Sequence, residues 1–109
     1  MPADDLALLT AAAEAAGLVA LGYWRGQLKS WDKGGALGPV SEADLAVNDH
    51  LEAVLRAARP DYGWLSEESA DDKSRLDARR CFIVDPIDGT RAFIEGQEGF
   101  SVAVGLDEG

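Results

Sequence analysis

The feature that most constrains the fold of this chain is a continuous run of β-favouring residues, Cys81-Phe82-Ile83-Val84. A run without polar alternation is expected of a strand that is buried on both faces. We predict that this strand ends at Asp85-Pro86, because proline has no N–H to donate to a sheet ladder. The rest of the chain must therefore supply the elements that cover the strand.

Two helices are predicted before this strand. The first runs from Ala3 to Arg25 and the second from Glu42 to Arg59, because apolar residues recur in both segments at spacings of three and four. Ser41 offers a hydroxyl N-cap to the second helix. The polar, glycine-rich stretch from Lys29 to Pro39 is predicted to be a loop between them.

Further strands are predicted at Trp64–Ser66 and Phe100–Leu106, and Thr90 is predicted to cap a short helix from Arg91 to Glu95. Two helices followed by at least three strands indicate an α+β domain with a layer of helices on a sheet. A chain of 109 residues has room for one such domain, residues 1–109. So small a sheet leaves long unpaired edges, and we therefore expect a further part of the fold.

Charge and cysteine content exclude several functions. Twenty acidic residues against ten basic ones give a net charge of −10, which repels nucleic acid and anionic lipid, so we expect neither as a partner. Cys81 is the only cysteine, which excludes an intrachain disulfide and multi-cysteine zinc sites and fits the cytoplasm. The apolar first helix is interpreted as soluble, because Asp4 and Asp5 stand where a signal peptide needs positive charge and Glu14 interrupts its middle.

The segment Asp85-Pro86-Ile87-Asp88-Gly89-Thr90 carries the chemistry. Asp85 ends the predicted strand, the next proline fixes the backbone, and Asp88-Gly89 turns the chain so that a second carboxylate can enter the same space. Magnesium prefers oxygen ligands, and the main-chain carbonyl of Ile87 could supply another. The amides of the Gly-Thr pair open the short helix, where an anion is favoured. The sequence therefore predicts adjoining cation and phosphate sites.

Simpler interpretations compete with this one. Asp-Gly followed by Thr also occurs in plain β-turns with an N-cap. An EF-hand loop is excluded because Pro86 and Ile87 occupy positions where it needs oxygen ligands. The haloacid-dehalogenase phosphatases place a nucleophilic aspartate two residues before the position of Asp88, where this chain has Pro86.

Three segments in the same order resemble the signatures of the inositol monophosphatase family: Val40-Ser41-Glu42-Ala43-Asp44, Leu65-Ser66-Glu67-Glu68-Ser69 and Asp85 to Thr90. This family belongs to a superfamily of magnesium-dependent, lithium-sensitive phosphatases. It includes 3'(2'),5'-bisphosphate nucleotidases, histidinol-phosphate phosphatases and fructose-bisphosphatases. The resemblance covers nearly all the chain from Lys33 onward. The segment from Thr90 to Gly96 looks closer to the nucleotidase and histidinol-phosphatase branches than to typical inositol monophosphatases. It implies the N-terminal part of that fold, with two long helices on a mainly antiparallel sheet.

The resemblance also implies a role for each matching residue. The metal ligands would be Glu67, Asp85, Asp88 and the carbonyl of Ile87. Gly89 and Thr90 would contact phosphate, and Thr90 with Glu67 would orient the attacking water. Asp44 would support a third metal or the water network, although its spacing from Ser41 equally indicates a capping box. Lys33 matches a family lysine through a looser alignment.

The implied function is hydrolysis of a phosphate monoester by a water that magnesium activates, with two or three ions in the complete site. The substrate would be a small phosphorylated metabolite, namely an inositol phosphate, a 3'(2'),5'-bisphosphate nucleotide or histidinol phosphate. The resemblance is compatible with a homodimer.

The chain departs from the family in one respect. Family members are much longer, and their second half carries a Trp-Asp-x-Ala-Ala-Gly signature whose aspartate completes the second metal site. No such segment occurs here. We therefore expect residues 1–109 alone to have little activity. The alternative function is a non-catalytic cation-binding or regulatory module, which would bind magnesium without releasing phosphate.

Overall fold

The computed structural model of this chain describes residues 3–26, 29–32, 39–69, 73–96 and 101–107. Two long helices, α1 (Ala3–Tyr23) and α2 (Glu42–Ala58), pack against each other and against a sheet. Both helices begin at the predicted residue and end one or two residues before the predicted end. The α+β prediction of two long helices layered on a sheet is confirmed.

Helix α2 is fixed at both ends by local chemistry. At its start, the N–H of Asp44 donates to Ser41 Oγ over 3.4 Å, and the N–H of Ser41 donates to Asp44 Oδ2 over 2.8 Å. This reciprocal capping box stabilises a helix by roughly 1 kcal/mol. At its end, Arg59 is the C-cap and Pro60 follows. A proline disfavours the helical conformation in the residue before it, so the helix stops there.

Helix α1 presents a row of mainly small apolar side chains to the core. The buried members are spaced three or four residues apart: Leu9, Ala12, Ala16 and Ala20. They pack against α2 and the sheet, whereas Leu6, Leu18 and Leu21 are exposed. By length and composition Asp4–Tyr23 could also cross a membrane. A core helix of a soluble protein passes the same test, and the packing of α1 on α2 supports that interpretation.

The main sheet has three strands in the order β3-β4-β5. Strand β3 (Gly63–Ser66) runs parallel to β4 (Cys81–Asp88), with Trp64 opposite Phe82. Strand β5 (Ser101–Asp107) pairs with β4 in the antiparallel direction. The parallel pair was not anticipated from the sequence, which gives no direct signal of strand direction.

A second, two-stranded sheet lies in the segment that was predicted to be a loop. Strands β1 (Ser30–Asp32) and β2 (Pro39–Ser41) are antiparallel, with Trp31 opposite Val40. The loop prediction from Lys29 to Pro39 is therefore wrong in part. Strands of three residues are too short to show the alternation by which a strand is recognised in a sequence.

Strand β4 continues beyond its predicted end. It pairs with β3 only as far as Val84, and its pairing with β5 shifts register between Asp85 and Asp88. Pro86 therefore lies in a ladder irregularity, the kind of position within a sheet where a missing N–H is tolerated. As a consequence, both aspartates of the motif belong to the same strand.

The helices cover one face of this sheet. Phe82 and Val84 point into the core, whereas Ile83 between them is 45% exposed. The expectation that β4 is buried on both faces is thus met on one face only in the described part of the chain.

A buried polar cluster ties α1 to the end of α2. The Asp5 side chain is 2% exposed; it accepts a hydrogen bond from Arg59 Nε over 2.9 Å and one from Tyr62 Oη over 2.7 Å. The Tyr62 hydrogen bond, helped by Arg59, lowers the pKa of Asp5 below its ordinary value of 3.8, although burial opposes this. The folded protein therefore stabilises the carboxylate form of Asp5.

Replacement of Asp5 with asparagine tests this cluster. Because the folded-state pKa is lowered, the cluster adds stability above a pH of about 3.8, which is lost as the pH falls through that lower pKa. We expect Asp5→Asn to lower the thermal midpoint of the full-length protein by several degrees at pH 7. The difference from wild type should shrink in acid. Asp4→Asn, which removes an exposed neighbouring charge, is the control, and an equal loss in that variant would contradict the assignment.

Candidate active site

Gly89 shapes the turn that follows β4. Its φ of 84° and ψ of 38° lie in the left-handed region, which a residue with a Cβ adopts only with strain. Gly89 is the N-cap of α3 (Thr90–Ile94) and supplies no side-chain cap. The prediction that Thr90 caps this helix is therefore wrong by one residue. As the first helical residue, Thr90 can use its hydroxyl elsewhere.

The Thr90 hydroxyl contacts two acceptors from other parts of the site. Thr90 Oγ1 lies 2.9 Å from Asp44 Oδ1 and 2.9 Å from the carbonyl oxygen of Ile87. A hydroxyl carries one proton, so it donates to one of these acceptors at a time. The other carboxylate oxygen of Asp44 is held by the backbone N–H and the hydroxyl of Ser41, at 2.8 and 2.7 Å. Asp44 is therefore both a capping-box partner and a contact of Thr90.

Asp85 lies at the centre of a concentration of negative charge. Burial raises the pKa of Asp85, and the charges of four neighbouring carboxylates raise it further: Glu67, Asp88, Asp44 and Glu68. The structure therefore brings acidic residues of the other two signature segments within electrostatic range of Asp85. Such a concentration opposes ionisation of Asp85 unless a cation compensates it.

The chemistry of these donors fits magnesium. All the predicted ligands offer oxygen, which is the donor that magnesium prefers, and a divalent ion would relieve the mutual repulsion of the carboxylates. In the described residues, no three His, Cys, Asp or Glu side chains form a group that could hold a metal ion. The neighbouring carboxylates thus act on Asp85 through their charge.

Strand direction explains why these groups meet. Glu67 follows the last residue of β3, and Asp85 lies one residue beyond the part of β4 that pairs with it. Because the two strands are parallel, their carboxyl ends lie at the same edge of the sheet. Glu67 and Asp85 also line a common cleft of about 350 Å³, whose walls are Leu65, Ser66, Glu67, Ile83, Val84 and Asp85.

A larger groove lies away from this chemistry. It has a volume of about 500 Å³, runs between α1 and β5, and is lined mainly by apolar side chains with Glu14. None of the residues predicted for the site line it, so the smaller cleft beside Glu67 is the better candidate for the reaction.

Sequence reasoning missed Asn48. This residue is 2% exposed on α2, and its amide bonds the hydroxyls of Ser66 and Ser69, which flank the Glu67-Glu68 pair. The available signal was an asparagine on the apolar stripe of a helix, between Val47 and Leu51. Buried polar side chains need partners, so such a position points to a hydrogen-bond network.

The predicted site residues have different placements. Asp85 is half-buried, Ile87 is buried, and Glu67 and Asp88 are exposed. Lys33 lies outside the described residues, so its predicted role stays a prediction.

Comparison with known proteins identifies relatives along nearly the whole chain. The family model described as the inositol monophosphatase family matches residues 2–109. A Streptomyces griseus protein named glucose-1-phosphate thymidylyltransferase is 51% identical over 69 residues, which are 63% of this chain and 26% of that protein. The 3'-phosphoadenosine 5'-phosphate phosphatase of Mycobacterium leprae is 43% identical over 77 residues, 70% of this chain and 28% of that protein.

The match to the histidinol-phosphatase of Chlorobaculum parvum is longer, with 38% identity over 104 residues, or 94% of this chain and 39% of that protein. Among solved structures, the extragenic suppressor protein suhB of Bartonella henselae superposes with a TM-score of 0.83 and 32% identity. That alignment covers 97% of this chain and 41% of the other. The chain thus spans about a quarter to two fifths of the length of these relatives.

Proposed function

Because this chain belongs to the inositol monophosphatase family, we propose that the full-length protein hydrolyses a phosphate monoester, with Glu67 and Thr90 orienting the attacking water. The observation that carries the proposal is the 2.9 Å contact between Thr90 Oγ1 and Asp44 Oδ1 beside the carboxylates around Asp85. A cation-binding module would need the carboxylates but not a hydroxyl held in this way.

Magnesium would be held by Glu67, Asp85, Asp88 and the carbonyl of Ile87, and when bound it would neutralise the carboxylates and lower the pKa of nearby water. The family resemblance favours two or three such ions in the complete site. The carbonyl oxygen of Ile87 lies 2.9 Å from Thr90 Oγ1 and has two lone pairs, so it could bind the metal while it remains within reach of that hydroxyl.

Thr90 and Glu67 would each accept a hydrogen bond from one proton of the attacking water and so orient it. When the Thr90 proton is directed to Asp44, the hydroxyl oxygen has its lone pairs free and can accept a hydrogen bond from water. Glu67 is exposed at the cleft and can take the second proton of that water as a general base. With both protons directed to the protein, a lone pair of the water oxygen would be free to attack a bound phosphorus atom.

The start of α3 would receive the phosphate group. Gly89 has no side chain to cap the helix, so the first N–H groups of α3 remain available to an anion. This placement would set the phosphorus beside the water that Thr90 and Glu67 orient. Phosphoryl transfer depends mainly on such positioning and on charge neutralisation.

The substrate is proposed to be a small phosphorylated metabolite. Relatives are named for 3'-phosphoadenosine 5'-phosphate, inositol 1-monophosphate and histidinol phosphate, and the nucleotidase and histidinol-phosphatase branches are favoured by the segment from Thr90 to Gly96. The thymidylyltransferase name describes a different reaction, and it makes glucose 1-phosphate a further compound worth testing.

Phosphate release by the full-length protein tests the function. We expect release from at least one of these four compounds in the presence of magnesium. Chelation of the metal with EDTA should abolish the release, and added magnesium should restore it. Binding of magnesium without release from any of the compounds would instead favour the non-catalytic cation-binding module.

A further inference from the structure

The pair Glu67-Glu68 forms the central part of a tight turn. The N–H of Ser69 donates to the carbonyl of Ser66 over 3.3 Å, which closes the turn directly after β3. The Glu67 side chain is exposed, and no described hydrogen bond holds its carboxylate. Its position must therefore depend on how the backbone of this turn is held.

A single amide on α2 holds both corners of the turn. Asn48 Oδ1 accepts from Ser66 Oγ over 2.5 Å, and Asn48 Nδ2 donates to Ser69 Oγ over 2.9 Å. The amide is planar and its side chain is buried, so the distance between its two polar atoms is fixed. Ser66 and Ser69 are consequently held at a fixed separation.

The hydrogen bonds around this amide specify its orientation. The Ser69 hydroxyl donates to Glu52 Oε1 over 3.0 Å and also accepts from Trp64 Nε1 over 3.0 Å. Because its one proton is used by Glu52, Ser69 must accept from the nitrogen of Asn48. The Ser66 hydroxyl accepts from the N–H of Glu68 at 3.3 Å and gives its proton to the oxygen of Asn48. Each polar atom thus has one consistent role.

We propose that Asn48 is a positioning residue, which keeps Glu67 beside Asp85 by clamping the Ser66–Ser69 turn. The inference rests on the proposed function, since it takes Glu67 as a magnesium ligand and general base. Asn48 lies one helical turn after Asp44, so the same face of α2 contacts both Thr90 and the turn that carries Glu67. Asn48 itself touches neither water nor phosphate in this assignment.

Magnesium affinity of the full-length protein is the decisive measurement. Loss of a group that orients a metal ligand typically weakens metal binding about 10–100-fold. We expect Asn48→Ala to raise the magnesium dissociation constant, measured by calorimetric titration, by about tenfold or more. The matched control is Asp49→Ala, an exposed neighbour on α2, whose dissociation constant should stay within about threefold of wild type. In the activity assay, kcat should fall and the magnesium concentration that gives half the maximal rate should rise, with little change in substrate KM.

A second pair of variants guards against a simple folding defect. Ser69→Ala should weaken magnesium binding as Asn48→Ala does, and Ser69→Thr, which keeps the hydroxyl, should restore it. If Asn48→Ala fails to fold, this pair decides the matter by the same titration. A lower thermal midpoint with unchanged magnesium affinity would overturn the positioning role. If wild type hydrolyses none of the substrates while the affinities change as expected, the proposed hydrolysis fails and the positioning role stands.

Discussion

The Glu67→Gln variant of the full-length protein is expected to lose about 10²–10⁴ of the wild-type kcat, because an amide cannot accept the proton of the attacking water. Glutamine keeps the size of the side chain and an oxygen donor, so the loss reports chiefly on charge and basicity. Phosphate release at saturating magnesium and substrate measures it. The raised pKa of Asp85, to which Glu67 contributes, is consistent with Glu67 lying within the reacting site.

The adjacent glutamate provides a matched control for this prediction. Glu68 belongs to the same turn, and its N–H is bonded to Ser66 Oγ, but its side chain does not line the cleft that Glu67 shares with Asp85. We therefore expect Glu68→Gln to retain kcat within about tenfold. Equal losses in the two variants would show that the reaction needs the total charge of the turn and would remove Glu67 as the general base.

The second large effect is expected at Thr90. Valine has nearly the shape of threonine without the hydroxyl, so Thr90→Val removes the contact to Asp44 and the proposed acceptor of the water proton. Loss of one such positioned hydrogen-bonding group lowers kcat by about 10²–10³. Thr90→Ser should recover most of the rate, since serine retains the hydroxyl.

The partner of Thr90 can be tested by a double-mutant cycle. If Asp44 acts by directing the Thr90 proton, Asp44→Asn should have little further effect in the Thr90→Val background, because residues that act as a unit give non-additive losses. Fully additive losses in kcat would mean that Asp44 and Thr90 act independently. Melting curves of each variant are needed alongside, because Asp44 also closes the capping box of α2.

The parts of the fold that the sequence predicted well are those with local signals. Helices α1 and α2, of 21 and 17 residues, are long enough to show apolar residues repeated at helical spacing, and the capping box of Ser41 and Asp44 marks the start of α2. Strand β4 is predicted too short, with an end at Asp85-Pro86. Whether a proline ends a strand depends on how the neighbouring strand pairs at that position, and here the pairing with β5 is irregular. That neighbour, β5, lies more than a dozen residues away in the chain and leaves no local mark.

The candidate site was predictable only where its residues are adjacent in sequence. The motif from Asp85 to Thr90 and the Glu67-Glu68 pair could be named, but their roles stay predictions until the variants above are measured. The contact of Thr90 with Asp44 spans 46 positions, and that of Asn48 with Ser69 spans 21. A pattern of residue types carries no information about contacts between distant positions, so it does not single out Asn48.

The single parallel pairing between described strands, β3 with β4, has a consequence for how such a site could arise. A two-residue hairpin would have joined these strands more economically, but it would have made them antiparallel. Glu67 and Asp85 would then stand at opposite ends of a four-residue ladder, roughly 13 Å apart. The chain instead joins β3 to β4 through residues 67–80. Of the described residues in this connection, Arg75 lies so close to β3 that a Cβ on Gly63 would be 2.7 Å from Arg75 Cα. Any insertion or deletion that converted this connection into a hairpin could still give a folded sheet, but Glu67 and Asp85 would no longer lie at the same end of it.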